Sequence, residues 1–188
     1  MPTFRTSRPV SAADAAKPHL ILVGLPGAGK TTIGRAVAAK LGRSFLDFDA
    51  EIERRELATV AEIFASRGEP HFRALERALT EELREVGHMI LAPGGGWMVN
   101  PGCVELLRPP AQVVYLAARP AVLVARLGAA VSGRPLLSQT QAVNELAGLL
   151  EAREPTYLQS NHTVNTELMS VPRLVDVIVE LARGGVGD

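Results

Sequence analysis

The chain has 188 residues and a mass of 20.0 kDa, and its 20 basic and 20 acidic side chains give a formal net charge of zero. Hydrophobic residues make up 47% of it, which is enough for a globular core and excludes disorder over most of the length. The balanced charge disfavours a nucleic-acid binder, because such proteins neutralise many phosphates with basic residues. We expect one globular domain that does not bind nucleic acid.

Cysteine content and hydropathy indicate the compartment. Cys103 is the only cysteine, so it cannot form an intramolecular disulfide, and this favours a reducing environment. No apolar run reaches the roughly 20 residues that span a bilayer, and the first residues lack the apolar middle of a secretory signal. The sequence therefore predicts a cytoplasmic protein with no membrane partner.

The chain begins with a segment that differs from the rest. Residues 1–18 are rich in Ala, Ser, Thr and Pro without a period, which predicts a flexible arm before a single domain at 19–188. The apolar run Leu20–Val23 predicts a strand that is buried on both faces. Apolar residues then recur at every fourth position from Ile33 and stop at Gly42, which predicts a helix.

Strands and helices continue to alternate along the chain. We predict strands at Phe45–Phe48, His88–Ala92, Gln112–Ala117 and His162–Asn165, and helices at Phe72–Val86, Val104–Leu107, from Pro120, at Val143–Leu150 and at Val171–Ile178. This alternation predicts an α/β fold, in which a mostly parallel sheet is covered by helices on both faces. Ligands of such folds bind at the carboxyl ends of the strands.

A phosphate-binding loop follows the first predicted strand. Residues Gly24-Leu25-Pro26-Gly27-Ala28-Gly29-Lys30-Thr31 fit the pattern GxxxxGK followed by Ser or Thr, and they precede a predicted helix as the pattern requires. Glycines let consecutive backbone N–H groups point at phosphate oxygens, and the helix start adds the positive end of its dipole. We expect Lys30 to reach the β- and γ-phosphates and the Thr31 hydroxyl to complete a magnesium shell.

Two acids follow the second predicted strand. Asp47-Phe48-Asp49 is predicted to close that strand, and side-chain alternation would place both carboxylates on one side. One is expected to hold a magnesium-bound water, and the other to orient an attacking hydroxyl or accept its proton. The alternative is a pair of solvated strand-end acids, or an N-cap at Asp49.

Arginines and glycines predict an acceptor site. Arg73 and Arg153 lie on predicted helices, and if they converge they would hold a planar anion, whereas either alone is more often a surface arginine. Glu76 lies on the same helical face as Arg73 and is expected to hold its guanidinium, or to form an ordinary helical ion pair. Gly94-Gly95-Gly96 permits a ligand to approach the backbone closely, although a flexible loop has the same composition.

The segment at 128–140 combines turn residues with little helical period and is predicted to form a mobile lid. Arg134 in this lid would move onto the phosphates and offset charge that develops during transfer. A solvated loop arginine is the alternative. Lid closure would also keep water away from the transferred group.

Taken in order, these motifs resemble the shikimate kinase family of nucleoside-monophosphate-kinase-like P-loop proteins, over about Leu20 to Ile178. The resemblance also rests on Gly68-Glu69 with Phe72-Arg73, on Arg134-Pro135-Leu136-Leu137, and on Arg153 followed by Pro155 and Tyr157. It implies a three-layer P-loop kinase fold with a five-stranded parallel sheet in the order 2-3-1-4-5. It also implies ATP-dependent phosphorylation of the 3-hydroxyl of shikimate, in aromatic amino-acid biosynthesis, by a monomer.

The resemblance implies a role for each matching residue. The implied ATP-binding residues are Gly27, Ala28, Gly29, Lys30, Thr31, Thr32, Arg126, which is similar to the family's adenine-packing arginine, and Arg134. The implied shikimate-binding residues are Asp49, Arg73, Gly94, Gly95, Gly96 and Arg153. Thr31 and Asp47 are implied as Mg²⁺ ligands, and Lys30, Asp49 and Arg134 as catalytic residues.

The sequence departs from the family pattern at Pro93, where a small or hydroxyl residue is usual, and at Trp97, whose ring is expected near the acceptor pocket. Two other functions stay open at this point. One is a kinase of another small hydroxy acid such as gluconate, which would keep the phosphate loop but not this arrangement of arginines. The other is a nucleotide-binding regulatory module without turnover.

Overall fold

In the computed structural model, which describes residues 18–128 and 139–184, five parallel strands form one sheet with helices on both faces. The strands are β1 (Leu20–Val23), β2 (Phe45–Asp47), β3 (Ile90–Ala92), β4 (Gln112–Ala117) and β5 (His162–Asn165). Their order is β2-β3-β1-β4-β5, which confirms the predicted topology. All four residues of β1 are buried, as expected for the central strand of a doubly covered sheet.

Helices connect successive strands among the described residues. They are α1 (Lys30–Leu41), α2 (Phe48–Glu56), α3 (Val60–Glu82), α4 (Cys103–Leu107), α5 (Pro120–Leu127), α6 (Gln139–Tyr157) and α7 (Val171–Ala182). Short 3₁₀ turns at Leu83–Glu85 and Trp97–Val99 follow α3 and the triple glycine. None of these helices is both long enough and apolar enough to cross a membrane.

The prediction that Asp47-Phe48-Asp49 closes a strand is wrong for its last two residues. β2 ends at Asp47, and α2, which the sequence analysis missed, begins at Phe48. The physical reason is a cap: Asp47 Oδ1 accepts a hydrogen bond from the Ala50 backbone N–H at 3.3 Å. The N-cap is therefore Asp47 rather than Asp49, and Asp49 lies in the first turn of the helix.

Helix α3 is longer at its start than predicted and ends earlier. A capping box opens it, because Glu62 N–H donates to Thr59 Oγ1 at 3.2 Å and Thr59 N–H donates to Glu62 Oε2 at 2.7 Å. The backbone leaves helical geometry at Gly68, where φ is 80°, and this break hid the first two turns from the sequence pattern. The predicted segment 83–86 is a 3₁₀ turn and its exit rather than α-helix.

Residues 1–17 of the predicted arm and most of the predicted lid, including Arg134, lie outside the described residues. The helix predicted at Val143–Leu150 extends to Tyr157. This extension carries Arg153 on the same helix, next to the site described below.

A buried histidine holds the start of β1. His19 is 6% exposed; its Nδ1 accepts from the Met89 N–H at 3.2 Å and its Nε2 donates to the Leu83 carbonyl at 3.0 Å. Only a neutral ring satisfies both contacts. Burial accordingly lowers the pKa of His19 below its ordinary value of 6.5.

We predict that this histidine makes stability depend on pH. Because the pKa of His19 is lowered in the folded state, its contribution is present above pH 6.5 and is lost as pH falls from 6.5 toward the folded-state pKa. Within that interval it adds up to about 1.4 kcal/mol per pH unit to the slope of the unfolding free energy. The unfolding free energy can be measured by urea unfolding between pH 8 and pH 5. It should depend less steeply on pH in His19→Gln than in the unsubstituted chain.

The control is Leu158→Gln, which introduces the same amide at an exposed residue that does not titrate and should keep the original dependence of the unfolding free energy on pH. If the unfolding free energy of His19→Gln depended on pH as steeply as that of the unsubstituted chain, the prediction would be contradicted.

Candidate active site

The loop between β1 and α1 has the backbone of an anion-binding site. Gly27 and Gly29 have φ values of 83° and 93°, a region that favours glycine, and Gly29 is the N-cap of α1. A Cβ atom at Gly27 would lie 2.7 Å from the Leu123 carbonyl oxygen, so sterics also require glycine there. The unpaired N–H groups at the start of α1 and the helix dipole together favour a phosphate in this loop.

Lys30 lies over this loop. Its Nζ donates to the Gly24 carbonyl at 2.9 Å and to the Leu25 carbonyl at 3.3 Å. Burial lowers the pKa of Lys30, while the carboxylates of Asp49 and Asp47 act in the opposite direction. The loop thus positions a weakly hydrated cation next to the helix start, where its attraction for an anion is strong.

Thr31 and Asp47 form a pair of oxygen ligands beside the loop. Thr31 Oγ1 donates to Asp47 Oδ2 at 2.6 Å, and the cap at Ala50 fixes the other carboxylate oxygen. Among the residues described, no three His, Cys, Asp or Glu side chains come together as a metal cage. One hydroxyl and one carboxylate nevertheless fit Mg²⁺, which usually takes its other ligands from phosphate and water.

A cavity of about 590 Å³ extends from this loop along the carboxyl edge of the sheet. The predicted site residues that line it are Gly27, Ala28, Gly29, Lys30, Thr31, Thr32, Asp47, Asp49, Gly95 and Arg126. Ala92 and Pro93, at the end of β3, also line it. The cavity therefore joins the phosphate loop to the triple glycine.

Asp49 faces the triple glycine from the first turn of α2. A Cβ atom at Gly94 would lie 3.0 Å from Asp49 Oδ1. Burial, followed by the nearby Asp47 carboxylate, raises the pKa of Asp49. A carboxylate of raised pKa beside the cavity is suited to accept a proton from a ligand hydroxyl.

The two predicted arginines converge on the same glycines. The Arg73 guanidinium lies against Gly96, where an added Cβ would be 2.5 Å from its Cζ, and Arg153 Nη1 would be 3.3 Å from a Cβ at Gly95. Arg73 pairs with Glu76 at 2.9 Å, as expected, and also with Glu69 at 2.8 Å. Two guanidinium groups therefore lie against adjacent glycines, and their joint binding of one planar anion stays a prediction.

Glu76 contributes more than an ion pair. Its side chain is wholly buried, and its Oε1 has no hydrogen-bond partner among the described residues. This oxygen would lie 3.1 Å from a Cβ at Gly94, so it faces the same glycine as Asp49. Burial raises the pKa of Glu76. Sequence analysis missed this free acceptor, because spacing on a helix reveals a partner for a carboxylate but not an oxygen without one.

The structure gives the contacts of two aromatic residues, Trp97 and Tyr157, which the sequence did not indicate. The Trp97 ring is fully buried and its Nε1 donates to Thr80 Oγ1 at 2.9 Å, so its position near the acceptor pocket stays a prediction. Tyr157 donates its hydroxyl hydrogen to the Gly95 carbonyl, and its ring stacks on Tyr115 with centroids 4.9 Å apart. Tyr157 therefore helps to fix the backbone of the glycine segment at Gly95.

The opposite end of the cavity is mainly apolar. Arg126 donates to Thr166 twice, from Nη1 to Oγ1 and from Nη2 to the backbone carbonyl, both at 2.7 Å. The other residues lining this end are Leu127, Thr166, Met169, Val171 and Leu174. A fixed planar guanidinium and apolar side chains together suit a flat ring, and a role of Arg126 at adenine stays a prediction.

Comparisons with known proteins agree with this geometry. A family model described as shikimate kinase matches residues 26–183. The shikimate kinase of Burkholderia thailandensis is 42% identical over 177 residues, which cover 92% of this chain and 96% of that protein. The shikimate kinase of Pelotomaculum thermopropionicum is 36% identical over 165 residues, which cover 88% of this chain and 95% of that protein.

A solved structure, shikimate kinase from Acinetobacter baumannii in complex with shikimate, superposes with a TM-score of 0.82 at 36% identity. The match covers 94% of this chain and 98% of that one. The phosphate loop, the sheet order and these likenesses lead to one conclusion: the chain belongs to the shikimate kinase family.

Proposed function

We propose that this protein transfers the γ-phosphoryl group of ATP to the 3-hydroxyl of shikimate, a step in aromatic amino-acid biosynthesis. One observation carries the proposal: one cavity is lined by the phosphate-binding loop, Asp49 and Gly95, and two arginines lie against Gly95 and the adjacent Gly96. The relative from Acinetobacter baumannii was solved with shikimate bound, which supports this acceptor. A monomer in the cytoplasm stays a prediction.

The phosphate loop would bind the triphosphate of ATP. Backbone N–H groups from Gly27 to Thr32 would surround the phosphates, and Lys30 would exchange its loop carbonyls for β- and γ-phosphate oxygens. Thr31 and Asp47 would hold a magnesium ion, which supplies charge neutralisation on those oxygens. Arg126 and the apolar end would take the adenine. Arg134 in the lid would act on the phosphates, although it lies outside the described residues.

The acceptor end would bind shikimate through its carboxylate and its hydroxyl groups. Arg73 and Arg153 would hold the carboxylate by forked hydrogen bonds. Gly95 lets the ring approach the backbone, and the free Oε1 of Glu76 would accept from a hydroxyl group. These contacts would leave the 3-hydroxyl beside Asp49.

The reaction is then an in-line displacement. Asp49 would orient the 3-hydroxyl and take its proton as the new O–P bond forms, while the bond from the γ-phosphorus to the β–γ bridging oxygen breaks and ADP leaves with the electron pair. Lys30 would offset the charge that develops on the phosphate oxygens. Little covalent chemistry is required of the protein, so positioning carries much of the rate enhancement.

A coupled ADP-release assay with shikimate, quinate, gluconate and nucleoside monophosphates tests this proposal. We expect shikimate to give the highest kcat/KM and gluconate little turnover, because gluconate lacks the rigid ring that these contacts fit. A nucleotide-binding regulatory module would release ADP only at a slow basal rate with every acceptor. Such a result would refute the assigned activity.

We predict that Asp49→Asn lowers kcat by about 10²- to 10⁴-fold, because an amide cannot accept the hydroxyl proton. The KM for ATP should change little, since Asp49 would not contact the phosphates. The control is Asp176→Asn. Asp176 is an exposed acid that pairs with Lys40 and is distant from Asp49 in the sequence, so this change should leave kcat unchanged. Turnover near that of the unsubstituted chain in Asp49→Asn would contradict the role given to Asp49.

We also predict that Gly96→Ala weakens acceptor binding. The new methyl group would overlap the Arg73 guanidinium and displace it, so the KM for shikimate should rise by about tenfold or more. The KM for ATP should stay within about twofold of that of the unsubstituted chain, because the new methyl group makes no contact near the phosphate loop. Gly148→Ala is the matched control, because a Cβ there meets nothing within 4 Å. Equal KM values in the two variants would contradict the placement of Arg73.

A further inference from the structure

We propose that Asn100 is a positioning residue for acceptor binding: its side-chain amide orients the Glu76 carboxylate, so that one oxygen holds Arg73 and the other stays free for a substrate hydroxyl. This inference rests on the proposed function, since it concerns the same acceptor site. Sequence analysis gave Asn100 no role.

The contacts of Asn100 are specific in direction. Its Nδ2 donates to Glu76 Oε2 at 3.2 Å and to the Arg73 backbone carbonyl at 3.0 Å. Both partners can only accept, so the amide nitrogen and not the amide oxygen must face them. The residue is 7% exposed, which keeps water from replacing either bond.

The backbone of Asn100 is fixed by the same turn that follows the glycines. Asn100 N–H donates to the Trp97 carbonyl at 3.1 Å, and Trp97 N–H donates to the Gly94 carbonyl at 3.0 Å. The Asn100 carbonyl accepts from the Cys103 N–H at 3.2 Å. The side chain therefore ties the glycine segment to α3, the helix that carries both Arg73 and Glu76.

This arrangement makes the two oxygens of Glu76 different. Oε2 accepts from Arg73 Nη1 and from Asn100, whereas Oε1 accepts from no described residue and faces Gly94. If Arg73 were the only donor to Glu76, either carboxylate oxygen could accept its hydrogen bond, and the carboxylate would be free to rotate. The second donor fixes which oxygen points to the acceptor. It also opposes the rise in the pKa of Glu76 that burial causes.

The test is steady-state kinetics of Asn100→Ala and of Asn100→Asp. We expect the KM for shikimate to rise by about tenfold in Asn100→Ala, and by more in Asn100→Asp, because a carboxylate of the same shape repels Glu76. The KM for ATP and the kcat at saturating shikimate should stay within about threefold, since the bound complex can still react. In a Glu76→Gln background, Asn100→Ala should add little to the KM for shikimate.

Trp97→Phe is the matched control. It removes the buried hydrogen bond to Thr80 and part of a buried ring, but it keeps the hydrogen bonds that Arg73 and Asn100 donate to the Glu76 carboxylate. We expect a lower Tm and an unchanged KM for shikimate. If Asn100→Ala and Asn100→Asp lower the Tm but leave that KM unchanged, or if their effects persist in full in the Glu76→Gln background, the positioning role is overturned.

The two proposals fail separately. Shikimate turnover by the unsubstituted chain is measured first, and its absence would refute the proposed function. With that turnover present, an unchanged KM in the Asn100 variants would refute only the inference about Asn100. If Asn100→Ala does not fold, Asn100→Leu supplies the same comparison, because leucine has a similar size and shape but neither a donor nor a charge.

Discussion

The parallel pairing of β1 with both β3 and β4 is the constraint on which the site depends. Leu20 pairs with Ile90 on one side and with Gln112 on the other, and Asp47 at the end of β2 pairs with Ala92 at the end of β3. Because all these strands run in one direction, their carboxyl ends meet at one edge of the sheet. The phosphate loop, the acids after β2 and the glycines after β3 are brought together there.

Burial of charge is the main energetic feature of this edge. Lys30, Asp49 and Glu76 each have a pKa shifted toward the neutral form by loss of hydration. Neighbouring groups of opposite charge offset this cost, as Arg73 does for Glu76. Lys30 is poorly hydrated before a ligand arrives, so an anion in the phosphate loop gains a strong interaction with it on binding.

Close approach is the second feature. Gly94 and Gly96 leave room where carboxylates and a guanidinium lie against the backbone, and any side chain there would meet them. The Tyr157 hydroxyl and the 3₁₀ turn at Trp97–Val99, which Asn100 follows, hold the glycine segment in place. The glycine segment therefore has carboxylates and a guanidinium against its backbone, and further hydrogen bonds hold that backbone in position.

Much of this protein follows from the sequence by itself. The apolar run at Leu20–Val23, the glycine pattern before Lys30 and the regular alternation of elements determined the α/β class and a nucleotide site, because local periodicity and loop chemistry are short-range properties. The resemblance carried by the ordered motifs gave the strand order, which the structure confirms. The expected pair of Arg73 with Glu76 is also a short-range feature, three residues apart on one helix.

Only the tertiary structure decided the rest. It ended β2 at Asp47 through a cap, buried Trp97 with a hydrogen bond to Thr80, and left one oxygen of Glu76 without a partner among the residues that the structure describes. It also brought Arg153 to Gly95 and Asn100 to Glu76, residues separated by 58 and 24 positions in the chain. Such contacts arise from packing between distant segments, and neither periodicity nor spacing along one element encodes them.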